Sequence, residues 1–110
     1  MDKFKVNITD YAKKQVKNIA KYISEVLKAP QASKAWRDCL FEKISKLDLM
    51  PYRYNLVEVE PWRTNGVRCL HVGNFIVFYL IKESTNSIWV TAVVYEKRDQ
   101  IKALSKMPIV

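Results

Sequence analysis

Three cations carry most of the chemistry this sequence can offer. Arg68 stands near the start of one apolar run, GVRCLHV, and Lys97-Arg98 follow another, IWVTAVVY, after a single glutamate, Glu96. Guanidinium and ammonium groups orient a phosphate and neutralise the charge it gains in a transition state. A lysine or tyrosine of shifted pKa takes or gives the proton. Together these types fit one reaction, cleavage of RNA by its own 2′-hydroxyl, in which the substrate brings the nucleophile. No GxGxxG, P-loop, GxSxG or metal-spaced cluster occurs in the sequence, so no metal and no cofactor is expected. The single histidine, His71, falls mid-strand, where packing is a more frequent role than general base.

A second set of candidates occupies the stretch from Met50 to Asn65, where Tyr52, Arg53, Tyr54, Trp62 and Arg63 lie among two prolines. Exposed aromatics beside arginines stack bases and pair phosphates. The same residues also serve to anchor a loop on a small core. Nineteen Lys and Arg against eleven acids leave a net charge of +8, which suits a polyanion or an acidic protein partner. Lysines on solvated helix faces account for part of that excess. Four of the five arginines, however, fall at Arg53 or later.

The elements that must position these groups are legible from hydrophobic period. Residues 3–8 alternate as a short strand. Thr9 then caps a helix whose apolar positions are Ala12, Val16, Ile19, Ala20, Ile23 and Leu27, with an end expected near Leu27 or Lys28. Pro30 opens a second helix, with an apolar stripe of Ala32, Trp36, Cys39, Leu40, Ile44 and Leu47. So short a connection predicts an antiparallel helical hairpin. From Gly66 to Arg98 three β-runs follow, divided by Gly73-Asn74 and by the polar residues 83–87. A two-residue II′ turn at Gly73-Asn74 pairs Val72 with Phe75, Leu70 with Val77 and Arg68 with Tyr79. Arg68 then shares a face with Tyr79, either stacked on it for packing or held there to meet an anion. The starts of the first and the ends of the third run lie at opposite ends of such a meander, so only strand twist or unequal lengths would bring Arg68 and Arg98 around one groove. Asp99 caps a last short helix with Ile101, Leu104 and Met107.

The expected fold is therefore α+β, one domain over 1–110, with the hairpin packed on an antiparallel sheet. Two cysteines 30 positions apart give no disulfide framework. The opening MDKFKVNITD lacks a signal-peptide core, so a cytoplasmic protein with no membrane association is expected.

The segments TDYAKKQVKNIAKYI, SKLDLMPYRYNLV, GVRCLHVGNFIVFYLI and VTAVVYEKRDQIKAL together resemble the RelE/ParE superfamily of toxins from type II toxin–antitoxin systems. The resemblance implies a toxin neutralised by a cognate antitoxin. It also implies one of two targets: messenger RNA on the ribosome, which RelE-like members cut, or DNA gyrase, which ParE-like members poison. Arg68 and Arg98 match the RelE-like arginines, with Lys97 beside the second. The RelE-like C-terminal tyrosine has no counterpart, since Leu104 stands in its place, and there is no C-terminal histidine. Tyr95 and Tyr79 are the tyrosines available to take the missing tyrosine's place, though nothing in the sequence demands that either does. Ribosome-dependent endoribonuclease activity is the first expectation, with Arg68, Arg98, Lys97 and Tyr95 catalytic and Arg53, Arg63, Trp62 and Tyr79 contacting RNA. Gyrase inhibition without nuclease activity is the alternative, and a non-toxic basic nucleic-acid-binding domain the third.

Overall fold

A computed structural model describes residues 3–98 and 100–107. It contains β1 (Lys5–Ile8), α1 (Asp10–Lys21), α2 (Pro30–Ser45), β2 (Arg68–Val72), β3 (Phe75–Lys82), β4 (Ser87–Tyr95) and α3 (Gln100–Ser105). The four strands form one sheet in the order β1-β4-β3-β2. β2, β3 and β4 are the antiparallel meander, and β1 adds in parallel to β4. No helix among the described residues is long and apolar enough to cross a membrane.

Gly73, at φ +57°, makes the β2–β3 turn without the steric cost a side chain would meet there. Val72 faces Phe75, Leu70 faces Val77 and Arg68 faces Tyr79, the register that the turn residues imply. The second turn is a short 3₁₀ segment, Glu83–Thr85, closed by Asn86 in the left-handed region. Between β3 and β4 the register slips at Phe78/Tyr79. Thr91 falls at the slip and donates its hydroxyl to the Phe78 carbonyl at 3.2 Å.

The central strands are buried on both faces, which is why β3 and β4 read as continuous apolar runs rather than alternating ones. One face (Leu70, Val72, Val77, Tyr79, Ile88, Val90) packs on Ala12 and Val16 of α1 and Leu40 and Ile44 of α2. The other (Ile76, Phe78, Ala92, Val94) is covered by Val57 and Val67 of the long connection and by Ala103 and Leu104 of α3. Leu56 forms only an isolated bridge to Arg68 rather than a further strand.

The hairpin departs from expectation at two places. α1 ends at Lys21 and continues as a π-helical turn, Tyr22–Val26, because the Leu27 amide reaches back to the Tyr22 carbonyl. Tyr22 and Leu27, at the two ends of that turn, are exposed. In α2, Ala32 and Cys39 are exposed, and Ser33 is the buried residue of the first turns. The Ser33 hydroxyl donates to the Ala20 carbonyl at 2.7 Å, so a small polar residue lets the two helices approach closely. Apolar type did not reveal that contact.

β1 covers β4 only as far as Val90. Beyond it, no described strand pairs with the outer edge of β4. The Val93 amide there is taken by the Gln15 side-chain carbonyl of α1 at 2.8 Å.

Candidate functional site

At one end of the sheet the chain after α2 folds back over the start of β2. The Tyr79 hydroxyl donates to the Pro51 carbonyl at 2.7 Å, and the Arg68 guanidinium donates to the Tyr54 carbonyl at 2.7 Å. The same guanidinium lies 5.2 Å from the centroid of the Tyr52 ring, and the Tyr52 hydroxyl is hydrogen-bonded to the Glu83 carboxylate. That bond raises the Tyr52 pKa above its ordinary value. Tyr79 is 0% exposed. Burial pushes its pKa up to about 12, although the nearby Arg68 charge pulls the other way. A phenol so placed holds its proton at neutral pH and spends it on a backbone carbonyl.

The other loop candidates are likewise built into the connection. Arg53 lies 5.7 Å from the Tyr54 ring centroid. Arg63 donates to the Val57 carbonyl at 3.3 Å, and Trp62 packs half-buried on the second core. The Glu60 carboxylate accepts from both the amide and the hydroxyl of Thr64 at 2.7 Å, and these bonds hold its pKa below the usual range. These contacts hold the connection together, and Trp62 ties it to the core.

Tyr95, Lys97 and Arg98 stand at the opposite end. Tyr95 is 41% exposed at the last position of β4 and meets Phe75 edge-on at 5.7 Å. Phe75 in turn packs on Trp36 at 5.0 Å. The chain then turns, with the Arg98 amide donating to the Tyr95 carbonyl at 3.0 Å, and leaves the Lys97 and Arg98 side chains exposed. Asp99 lies outside the described residues. From the Arg68–Tyr79 rung to the Val72–Phe75 rung, level with Tyr95, is four residues of β2, or about 13 Å of strand. Arg98 lies beyond that and two strands across. Tyr95, Lys97 and Arg98 are thus brought together, and Arg68, Tyr79 and the 52–54 segment form a separate cluster. Among the described residues no group of three His, Cys, Asp or Glu side chains is placed to hold a metal.

A broad concavity opens at the Arg98 end. A groove of about 910 Å³ runs between the helical hairpin and the last residues of β4, walled by Tyr22, Leu27, Trp36, Phe75, Tyr95 and Arg98. Tyr22 and Leu27, at the start of the π-turn and just past its end, are 54% and 56% exposed. Among the described residues the buried Trp36 indole nitrogen has no acceptor, an unpaired donor of the kind proteins seldom leave. A smaller cleft of about 500 Å³ adjoins it, sharing Gln15, Val94 and Arg98 and reaching Lys102 and Lys106. Sequence reasoning missed Tyr22, Trp36 as a donor, and Lys102 and Lys106. The four-residue spacing of Arg98, Lys102 and Lys106 was the signal available for the last two.

The family model described as the ParE toxin of the type II toxin-antitoxin system parDE matches residues 6–100. No curated protein sequence matches the chain. Among solved structures, a chain of the chromosomal ParDE system from P. aeruginosa superposes with a TM-score of 0.68 at 18% identity, covering 84% of this chain and 95% of that one. The RelBE2 toxin–antitoxin complex from Mycobacterium tuberculosis gives 0.61 at 16%, covering 84% and 98%. The archaeal RelE–RelB complex from Pyrococcus horikoshii gives 0.58 at 16%, covering 88% and 99%. At such identities the likeness is one of fold.

Proposed function

The chain belongs to the ParE toxin family of type II toxin-antitoxin systems, and from that premise we propose that it poisons DNA gyrase by binding it and cuts no RNA. The observation that carries this reading is the separation of the two arginine clusters. In-line cleavage needs a phosphate clamp, a proton acceptor and a proton donor around one scissile bond. Here Arg68 is committed to the Tyr54 carbonyl and the Tyr52 ring, and Tyr79 to the Pro51 carbonyl. Both lie at the far end of the sheet from Arg98. Inhibition by binding needs no acid–base pair, so this arrangement serves it without further parts.

Ribosome-dependent messenger RNA cleavage is the second reading. It is favoured by the exposed Tyr95, Lys97 and Arg98 gathered in one turn, which offer a phenol and two cations to a strand. Controlled induction in bacteria separates the two. Relaxed or cleaved plasmid DNA with intact messages is the expected result. Cuts within translated codons that disappear on Arg98→Ala would overturn it in favour of the nuclease.

The partner of this toxin is a cognate antitoxin, and we place its docking segment in the groove walled by Tyr22, Leu27, Trp36 and Tyr95. An acidic amphipathic segment that folds on binding fits there. It would bury the exposed side chains, supply a carbonyl to the orphaned Trp36 nitrogen and set a carboxylate against Arg98.

A further inference from the structure

We propose that Arg98, Lys102 and Lys106 form a binding site for the phosphodiester backbone of a nucleic-acid strand. The proposal rests on the toxin reading above for its biological use, since it gives the toxin a hold on the nucleic acid that its target carries. Its physical basis is independent of that reading. The three cations stand four residues apart in the sequence and line one cleft. Lys102 lies within α3, Arg98 in the turn before it and Lys106 in the turn after, where its amide donates to the Ala103 carbonyl at 3.2 Å. All three are exposed and all three line the smaller cleft. Ala103 and Leu104, between the two lysines, are pinned in the core, so the row rides on a fixed element. Lys102 already makes an interaction within the chain. The site uses it as part of a line of charge, not as an unpaired cation.

The facing wall is Tyr11 and Gln15 of α1. The Gln15 carbonyl is committed to the Val93 amide, which leaves its NH₂ end as the donor available to an occupant. Among the described residues of both walls none is acidic. The floor is Val94 and Ala103, both buried. A docked peptide would draw its affinity from large apolar anchors, and this cleft has no exposed aliphatic side chain to receive one. Binding to a phosphate backbone draws on charge and counterion release, which the row supplies. Tyr95, exposed beside Arg98, adds a ring on which a base can stack.

The test uses purified toxin and fluorescence anisotropy with dye-labelled single-stranded RNA, single-stranded DNA and duplex DNA, each about 12 nucleotides or base pairs long, from about 50 to 200 mM salt. Lys102→Glu/Lys106→Glu should weaken binding by about tenfold or more and lower the salt slope by roughly 0.7–0.9 for each phosphate that is no longer neutralised. The control is Lys13→Glu/Lys17→Glu, which changes net charge equally. Those residues follow Tyr11 and Gln15 by two positions, about 200° round the helix and away from the cleft. The control should retain affinity to within about twofold because screening isolates distant exposed charges. The strand bound tightest identifies which nucleic acid the site serves. Equal losses in both variants, no binding by the wild type at the lowest salt, or displacement by polyglutamate at equal charge would each overturn the proposal. Circular dichroism confirms that the variants are folded. Gyrase supercoiling assayed with the same proteins reports on the toxin reading separately. Wild type that binds nucleic acid but leaves gyrase untouched refutes that reading and not the site.

Discussion

Arg68, a catalytic candidate in the sequence, is held in the fold by the Tyr54 carbonyl and the Tyr52 ring. Its face and its Tyr79 partner were legible from a two-residue turn, because side-chain direction in a hairpin follows from register alone. What the guanidinium touches was not legible. Its partners, Tyr54 and Tyr52, come from a connection that has no period of its own. Removing it should therefore read out as stability. Arg68→Ala leaves the Tyr54 carbonyl without its donor and bares the Tyr52 ring, at a cost of about 1–3 kcal/mol. Urea unfolding should show that loss, while growth arrest on induction persists at permissive temperature. Under the nuclease reading, arrest would vanish with the fold intact. The neighbouring Tyr79 sets an alkaline limit. Its folded pKa, near 12, lies above the ordinary value near 10. Between these values the unfolded chain releases the proton first and binds fewer protons than the native one. Stability contributed by the neutral phenol is thus whole below pH about 10 and is lost as pH rises through about 12. Tyr79→Phe should flatten that part of the pH–stability curve measured by denaturant titration.

At the scale of elements, the strands and their register could be read because one glycine turn fixed them, and both helix starts because Thr9 and Pro30 mark them. The end of α1 could not. A π-turn is a one-residue widening, and the apolar spacing through Ile23 and Leu27 is nearly the same with or without it. The contact between the two helices hid behind Ser33, a polar residue in an apolar place. Ser33→Leu would force the helices apart and remove the bond to Ala20, lowering stability by roughly 1–3 kcal/mol and lowering Tm in a thermal scan. The second cover of the sheet, by α3 together with Val57 and Val67, went unread for a related reason. Double-sided burial removes the alternation that assigns faces. The half-open edge of β4 gives a sharper test. Gln15→Ala uncouples the Val93 amide from its acceptor, and hydrogen exchange at Val93 should quicken while that of Val77 and Val90 in the sheet centre is unchanged.

On the scale of the whole molecule, charge and apolar surface meet at one end. The groove walled by Tyr22, Leu27 and Tyr95 ends at Arg98, where the basic row begins. One partner seated in the groove covers the first member of that row, so neutralisation and nucleic-acid contact compete for a single guanidinium. Leu27→Asp puts a charge in the apolar wall and should weaken a co-expressed antitoxin complex by roughly ten- to a hundredfold, as charged substitutions at buried contact centres do. Calorimetric titration would measure it, and an unchanged affinity would move the docking face elsewhere. The strand order carries one more consequence. β4 is flanked by β1 and by β3, so β1, the earliest of these four strands in the chain, has no partner until β4, the latest of them, has been synthesised. A chain cut short anywhere before Ser87 offers β1 nothing to pair with. Nonsense alleles upstream of Ser87 should therefore be harmless to the cell, a population-genetic signature written by topology.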